Sequence, residues 1–242
     1  MATHILIPAR YASSRLPAKP LLAETGQCLI LHVVENVLAI DGVDSVTVAT
    51  DDQRIADVVT AAGYQAVMTR VDHASGTDRL AEAAATLGFA DDDIVVNVQG
   101  DEPDIPAELV LRLIDLLETT DAPMATLATP LPDDQAADPN KVKAVFTPAH
   151  KALYFSRAKI PHDRDATHPG SHFLHIGMYG YRAGFLQTFT TLPAGTLEQI
   201  ECLEQLRVLE AGYDIAIDVV DYDGGGIDTP EDYAEFVRRM KG

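Results

Sequence analysis

The 242 residues carry 18 Lys and Arg against 37 Asp and Glu, a formal net charge of −19. Such an excess of acid excludes a broad duplex-binding surface, because phosphate backbones are met with Lys and Arg. Hydrophobic residues make up 47% of the chain, a globular composition with room for one sizeable core. No apolar run approaches the ~20 residues of a membrane span, so no membrane insertion is expected. Cys28 and Cys202 form no metal or redox spacing, and Met1 to Pro8 runs into a strand pattern with no signal-peptide features; a reduced, cytoplasmic protein is expected.

From the start, apolar runs alternate with helical periodicity. His4 to Pro8 is a short strand, and Ile30, Val33, Val34, Val37 and Leu38 then recur at helical spacing. Ser45 to Thr50 is a second strand; Asp51 is placed to cap the helix of Ile55, Val58 and Val59, which Gly63 stops. Gln65 to Met68 is a third strand, Gly76 to Leu87 an Ala-rich helix and Asp93 to Val98 a buried strand. Pro106 opens a further helix. Strands separated by helices imply β-α-β units and a mostly parallel sheet, the α/β class. Ligands of such sheets sit outside the carboxyl ends of the strands.

From Met124 the character changes. Met124 to Ala128, Val142 to Phe146, Ala152 to Phe155 and Phe173 to Ile176 read as short strands joined by Pro- and Asp-rich loops. The expectation is one domain over 1–242 with a mixed or antiparallel insertion over 124–182, able to cover a site or form a dimer surface. Helices return over Leu197 to Glu210, carrying Glu204 and Gln205, and over Pro230 to Met240.

The loop after the first strand carries the strongest chemical signal. Residues 1–19 hold Arg10, Arg15 and Lys19 and no Asp or Glu, an exception in an acidic chain that points to an anion pocket. The loop lacks the Walker and Rossmann glycine patterns. Its small residues, Ala9, Ala12, Ser13 and Ser14, let backbone amides approach an anion, while Arg can fork phosphate oxygens and Lys supplies a point charge.

That loop, Ile7-Pro-Ala-Arg-Tyr-Ala-Ser-Ser-Arg-Leu-Pro-Ala-Lys-Pro-Leu21, resembles the signature of the 3-deoxy-manno-octulosonate (Kdo) cytidylyltransferases. Further matching segments follow in order: Val48-Ala-Thr-Asp-Asp52, Met68 to Arg79, Val96-Asn-Val-Gln-Gly-Asp-Glu-Pro103, Leu203-Glu-Gln-Leu-Arg207 and Gly226-Ile-Asp-Thr-Pro-Glu-Asp232. The resemblance spans nearly the whole chain. It implies a three-layer, Rossmann-like nucleotidyltransferase fold and transfer of CMP from CTP to an acidic eight-carbon sugar for lipopolysaccharide biosynthesis. It also implies Mg²⁺ and a homodimer. The same reaction on 8-amino-Kdo or another acidic sugar, and a non-catalytic nucleotide-binding scaffold, are the alternatives.

Within this reading Arg10, Arg15 and Lys19 hold the triphosphate. Asp101, after the strand ending at Val98 and across Gln99-Gly100, and Asp228, before Thr229-Pro230, are the expected Mg²⁺ ligands; magnesium favours one or two carboxylates plus substrate phosphates. Thr229 is expected to cap the last helix with Asp232 in a capping box, leaving Asp228 for other work. By resemblance, Pro8, Ala9, Ser13, Arg70, Ser75, Gly76 and Thr77 join the nucleotide side, with Ser75 equally readable as a helix N-cap. Gln99 faces sugar or base, and Arg157, His175, Tyr179, Glu204 and Gln205 face the sugar acid. His168, His172 and His175 fall across a loop and a strand with no nearby Cys, so no zinc site is expected. The chain departs from the family pattern at Ala18, where Gly is usual, at Gln27-Cys28, and in a stretch before His175 about one residue short.

Overall fold

The computed structural model describes residues 1–12, 16–73, 75–165 and 167–242. The expected site residues Ser13 and Arg15 lie outside the described residues. The chain forms two compact units, one of Met1–Ala107 with Gly224–Gly242 and one of Glu108–Asp223. The class is α/β, mostly parallel with some antiparallel strands.

In the first unit β1 (Thr3–Ala9), α1 (Leu29–Leu38), β2 (Ser45–Thr50), α2 (Gln53–Ala61), β3 (Gln65–Met68), α3 (Gly76–Leu87) and β4 (Ile94–Asn97) alternate along the chain. The strands pair in parallel in the order β3-β2-β1-β4. Ile5, Leu6 and Ile7 are all fully buried, so β1 is covered on both faces, which explains its unbroken apolar run. The chain end returns to this unit as α8 (Pro230–Lys241). Tyr233, Phe236 and Val237 of α8 pack with Leu16, Leu29 and Ile227. Burying a side chain of this size contributes about 1.5–3 kcal/mol, and the cluster brings the segment before α8 to the first loop.

The helix after β2 differs from expectation in its cap. Asp52, not Asp51, is the N-cap of α2, accepting from the Arg54 amide at 3.0 Å. Asp51 instead pairs at 2.6 Å with Arg79, whose side chain is fully buried on α3. A buried guanidinium needs a charged partner, and Asp51 is that partner.

The second unit holds α4 (Ala107–Thr119), β5 (Met124–Pro130), β6 (Lys143–Phe146), β7 (Ala152–Ser156), β8 (Phe173–Arg182), α5 (Ala183–Thr191), α6 (Thr196–Glu201), α7 (Leu206–Glu210) and β9 (Ile215–Val219). β5 runs antiparallel to β8 and parallel to β9, while β6 and β7 form an antiparallel pair. The helix expected over Leu197 to Glu210 is two helices. Cys202 ends α6 in the left-handed region at φ 52, and the chain turns through Leu203, Glu204 and Gln205 before α7 begins. Glu204 and Gln205 therefore lie in a turn rather than on a helix. Neither α5 nor β9 was legible as an element: α5 is Thr-rich, and β9 follows a short polar turn.

His175 sits on β8 with Phe155 at 4.9 Å and Tyr179 at 5.5 Å between ring centroids. Thr126 has one hydroxyl proton and the carbonyl of Met178 2.8 Å away, so the 3.0 Å contact with His175 Nε2 is donated by the imidazole. Burial lowers the His175 pKa to about 3. The ring is neutral in the folded protein, whereas an unfolded chain protonates it below about pH 6.5. Its linkage contribution is therefore intact above pH 6.5 and falls as pH drops toward 3.

Two predictions follow from this framework. In urea titrations, the stability lead of the wild type over His175→Gln at pH 7.5 should shrink steadily between pH 6.5 and 4.5; a lead constant with pH would refute the burial argument. At the first loop, Ala18 has φ 56, the left-handed conformation that burdens any residue with a Cβ. Ala18→Gly should raise unfolding stability by about 0.5–1 kcal/mol, read as a higher thermal midpoint.

Candidate active site

A cavity of about 310 Å³ opens at the carboxyl ends of β1 and β4 in the first unit. Its walls are Pro8 and Ala9 of β1, Arg10, Ala12, Lys19 and Pro20 of the first loop, Gln99, Gly100 and Asp101 after β4, and Asp228 before α8. This is the edge at which α/β sheets bind ligands.

Lys19 organises it. The lysine enters a 3₁₀ turn over Lys19–Leu21, directly after the left-handed Ala18. Its ammonium lies 2.5 Å from Asp101 Oδ2, 2.8 Å from the carbonyl of Ile227 and 3.4 Å from Asp228 Oδ1. The side chain is only 13% exposed, so these contacts operate with reduced solvent screening. Three segments distant in sequence are joined at one atom.

Two glycines permit the approach. A Cβ on Gly100 would stand 2.9 Å from the Pro8 carbonyl oxygen, and one on Gly226 would stand 3.1 Å from Asp101 Oδ1. The Ile227 amide donates to the Asp101 carbonyl at 2.9 Å, fixing the two acid-bearing segments side by side. Thr229 caps α8 through the Asp232 amide, and Asp232 returns bonds to the amides of Thr229 and Asp228. The capping box thus holds the backbone of Asp228 while its carboxylate faces Lys19.

Glu102 is a residue that sequence reasoning passed over. Burial, then the negative charges of Asp101 and Asp228, push its pKa up to about 7. The sequence signal was its place in the Asp101-Glu102-Pro103 run at the ligand edge.

Arg10 lines the cavity and donates from Nη2 to the carbonyls of His73 at 3.2 Å and Ser75 at 3.0 Å. It ties the first loop to the start of α3. The Ser75 hydroxyl caps that helix by accepting from the Asp78 amide at 3.1 Å, and Asp78 reciprocates. Gly76 and Thr77 form the first turn of α3. Arg70 is 67% exposed and stands 3.7 Å from both Asp72 and Glu82, so its guanidinium is solvated among carboxylates. Arg70, Ser75, Gly76 and Thr77 are not among the described residues that line the cavity.

The expected sugar-side residues belong to the second unit. Arg157 spends three of its N–H groups on backbone carbonyls: Nε on Glu201 at 2.7 Å, Nη1 on Pro139 at 3.1 Å and Nη2 on Cys202 at 3.4 Å. Its own amide donates to the Glu201 carboxylate at 2.9 Å, and the fully buried Lys143 donates to its carbonyl at 2.6 Å. Glu201, which also accepts from Ser156 Oγ at 2.5 Å, is a second residue that pattern reading missed. The depressed pKa of His175 makes it a neutral hydrogen-bonding group. Burial holds Tyr179 well above its ordinary pKa, so it remains an O–H. Gln205 is buried, and its Nε2 has no hydrogen-bond partner among the described residues.

The cytidylyltransferase family model matches residues 4–215. Two curated proteins from Stenotrophomonas maltophilia, strains K279a and R551-3, are each 52% identical over 239 residues, covering 94% of this chain and 93% of theirs. Both are named 3-deoxy-manno-octulosonate cytidylyltransferase. The solved structure of CMP:2-keto-3-deoxy-manno-octonic acid synthetase complexed with CTP matches with a TM-score of 0.92 at 43% identity, covering 100% of this chain and 99% of that one. A 4-diphosphocytidyl-2C-methyl-D-erythritol synthase shares the fold at a TM-score of 0.64 and 17% identity, covering 100% of this chain and 98% of that one. With a family model over most of its length and full-length relatives above half identity, the chain belongs to the cytidylyltransferase family, beside the 3-deoxy-manno-octulosonate cytidylyltransferases.

Proposed function

We propose that this protein activates Kdo with CTP, forming CMP-Kdo and pyrophosphate for lipopolysaccharide biosynthesis, as a cytoplasmic homodimer using Mg²⁺. The observation that carries the reading is the convergence of Asp101 and Asp228 on one cation, the Lys19 ammonium, in a cavity at the carboxyl edge of a parallel sheet. The full-length relatives at 52% identity supply the substrate pair.

The donor set suits the proposed metal. Two hard carboxylates already gather round a positive charge, and magnesium takes few protein ligands because substrate phosphates and water complete its shell. Asp101 and Asp228 are the residues that would hold it. When bound, the ion supplies positive charge to phosphate oxygens as the negative charge there is redistributed.

The chain's own residues do the rest. Arg10 and Lys19, with Arg15 by resemblance, bind the triphosphate and stabilise pyrophosphate as it departs. Pro8 and Ala9, with Ser13 by resemblance, are assigned to the nucleotide, and Arg70, Ser75, Gly76 and Thr77 to its base. Gln99, on the cavity wall, is assigned to the sugar or base. In the second unit His175 and Tyr179 offer neutral hydrogen-bonding groups suited to sugar hydroxyls. Glu204 and Gln205 are the further sugar candidates, and Arg157 brings whichever guanidinium donors its carbonyl partners leave. The anomeric hydroxyl attacks the α-phosphorus in line: its oxygen–phosphorus bond forms as its proton leaves, and the bond to the bridging oxygen of pyrophosphate breaks. Such transfers depend on positioning and on electrostatic stabilisation.

The test is pyrophosphate release with CTP against ATP, GTP and UTP, with and without Kdo and Mg²⁺. Release should require CTP, Kdo and the metal together. Asp101→Asn and Lys19→Ala should each lower turnover by roughly 10²- to 10³-fold; turnover within a few-fold of wild type would remove these residues from the site. Asp228→Asn should also weaken Mg²⁺ binding to the CTP-bound protein in calorimetry, a readout independent of turnover.

A further inference from the structure

The proposed nucleotide site has a support that lies outside the cavity. Arg54, in the first turn of α2, donates from Nε to Asp52 Oδ1 at 2.9 Å and from Nη2 to Asp52 Oδ2 at 2.6 Å. The same carboxylate caps α2 by accepting from the Arg54 amide. The guanidinium is thereby held flat, and its Cζ lies 3.4 Å from the centroid of the Tyr11 ring. Stacking of a planar cation on an aromatic face is a contact that Arg makes and Lys does not reproduce.

Tyr11 is well placed to pass that constraint on. Its neighbours Arg10 and Ala12 both line the cavity. Its carbonyl accepts from the Ala18 amide at 3.3 Å, closing the loop immediately before Lys19. One residue therefore touches both ends of the loop whose cations are assigned to the triphosphate. An exposed Arg–Asp pair alone contributes little. Here the pair's geometry serves to present a flat face to Tyr11.

We propose that Arg54, oriented by Asp52, is a positioning residue that clamps Tyr11 and so pre-sets Arg10, Ala12 and the turn at Ala18 and Lys19 for the nucleotide triphosphate. The inference rests on the proposed function. Arg54 is not among the described residues lining the cavity, so its effect is transmitted through the loop. Holding Tyr11 and these neighbours before binding spares the nucleotide part of the ordering cost, and loosening them weakens affinity.

Calorimetry with CTP and Mg²⁺, without sugar, tests this directly, paired with steady-state kinetics. Arg54→Ala should raise the Kd and KM for CTP by about 2- to 5-fold, the range of an exposed cation–π contact. The KM for Kdo, kcat and the thermal midpoint should stay near wild type. Tyr11→Phe, which keeps the ring, should bind CTP normally, whereas Tyr11→Leu should reproduce the loss, and Arg54→Ala in the Tyr11→Leu background should add nothing further. An unchanged CTP affinity in Arg54→Ala, or fully additive losses in the double variant, would overturn the clamp. Failure of the folded wild type to bind CTP would instead overturn the functional reading.

Discussion

The first unit is organised around the contact of the Lys19 ammonium with Asp101 and Asp228. Two carboxylates brought to one cavity repel each other, and the chain as a whole carries a formal net charge of −19. A lysine side chain only 13% exposed, with a backbone carbonyl as its third acceptor, offsets the repulsion. The fold has to satisfy this contact from three directions. The first loop must deliver the lysine, the turn after β4 must deliver one acid, and the return of the chain end must deliver the other.

Each delivery has a visible local cause. Ala18 bends the chain in the left-handed region so that Lys19 begins a turn facing the cavity. Gly100 passes close to the end of β1 where a side chain would strike the Pro8 carbonyl, and Gly226 passes close to Asp101 itself. The apolar cluster of α8 with Leu16 and Leu29 brings the last segment back, and the Thr229–Asp232 capping box fixes its direction. Packing places the elements and glycine allows the final approach. The electrostatic contact then holds loop, turn and chain end together.

Much of this was readable beforehand because local rules and tertiary demands coincide. The strand over Ser45–Thr50, the strand over Gln65–Met68 and the helix over Gly76–Leu87 fall where periodicity and caps put them. The Thr229 cap did as well. Reading failed where a tertiary partner overrode the local signal. Asp51 resembles a cap in sequence, but a buried Arg79 from a distant helix claims it. The segment 197–210 has helical periodicity throughout, yet Cys202 takes a conformation that no residue pattern announces. Arg157 is a different case: the charge expected of a carboxylate binder is present, and three of its N–H groups also serve the carbonyls of Glu201, Cys202 and Pro139. Residue type shows what a side chain can do; its neighbours decide how much of that capacity remains.

Charge counting at the cavity joins these points. Asp101 and Asp228 bring two negative charges to the cavity, Lys19 meets both, and Arg10 lines the same cavity. Glu102 senses the pair: burial raises its pKa first, and the two neighbouring carboxylates raise it further. A monovalent ammonium therefore steadies the pair without neutralising it. The lysine that shares the carboxylates is long and flexible enough to serve a phosphate instead. This is the physical sense in which Lys19, Asp101 and Asp228, drawn from three distant segments, form a cavity suited to phosphate.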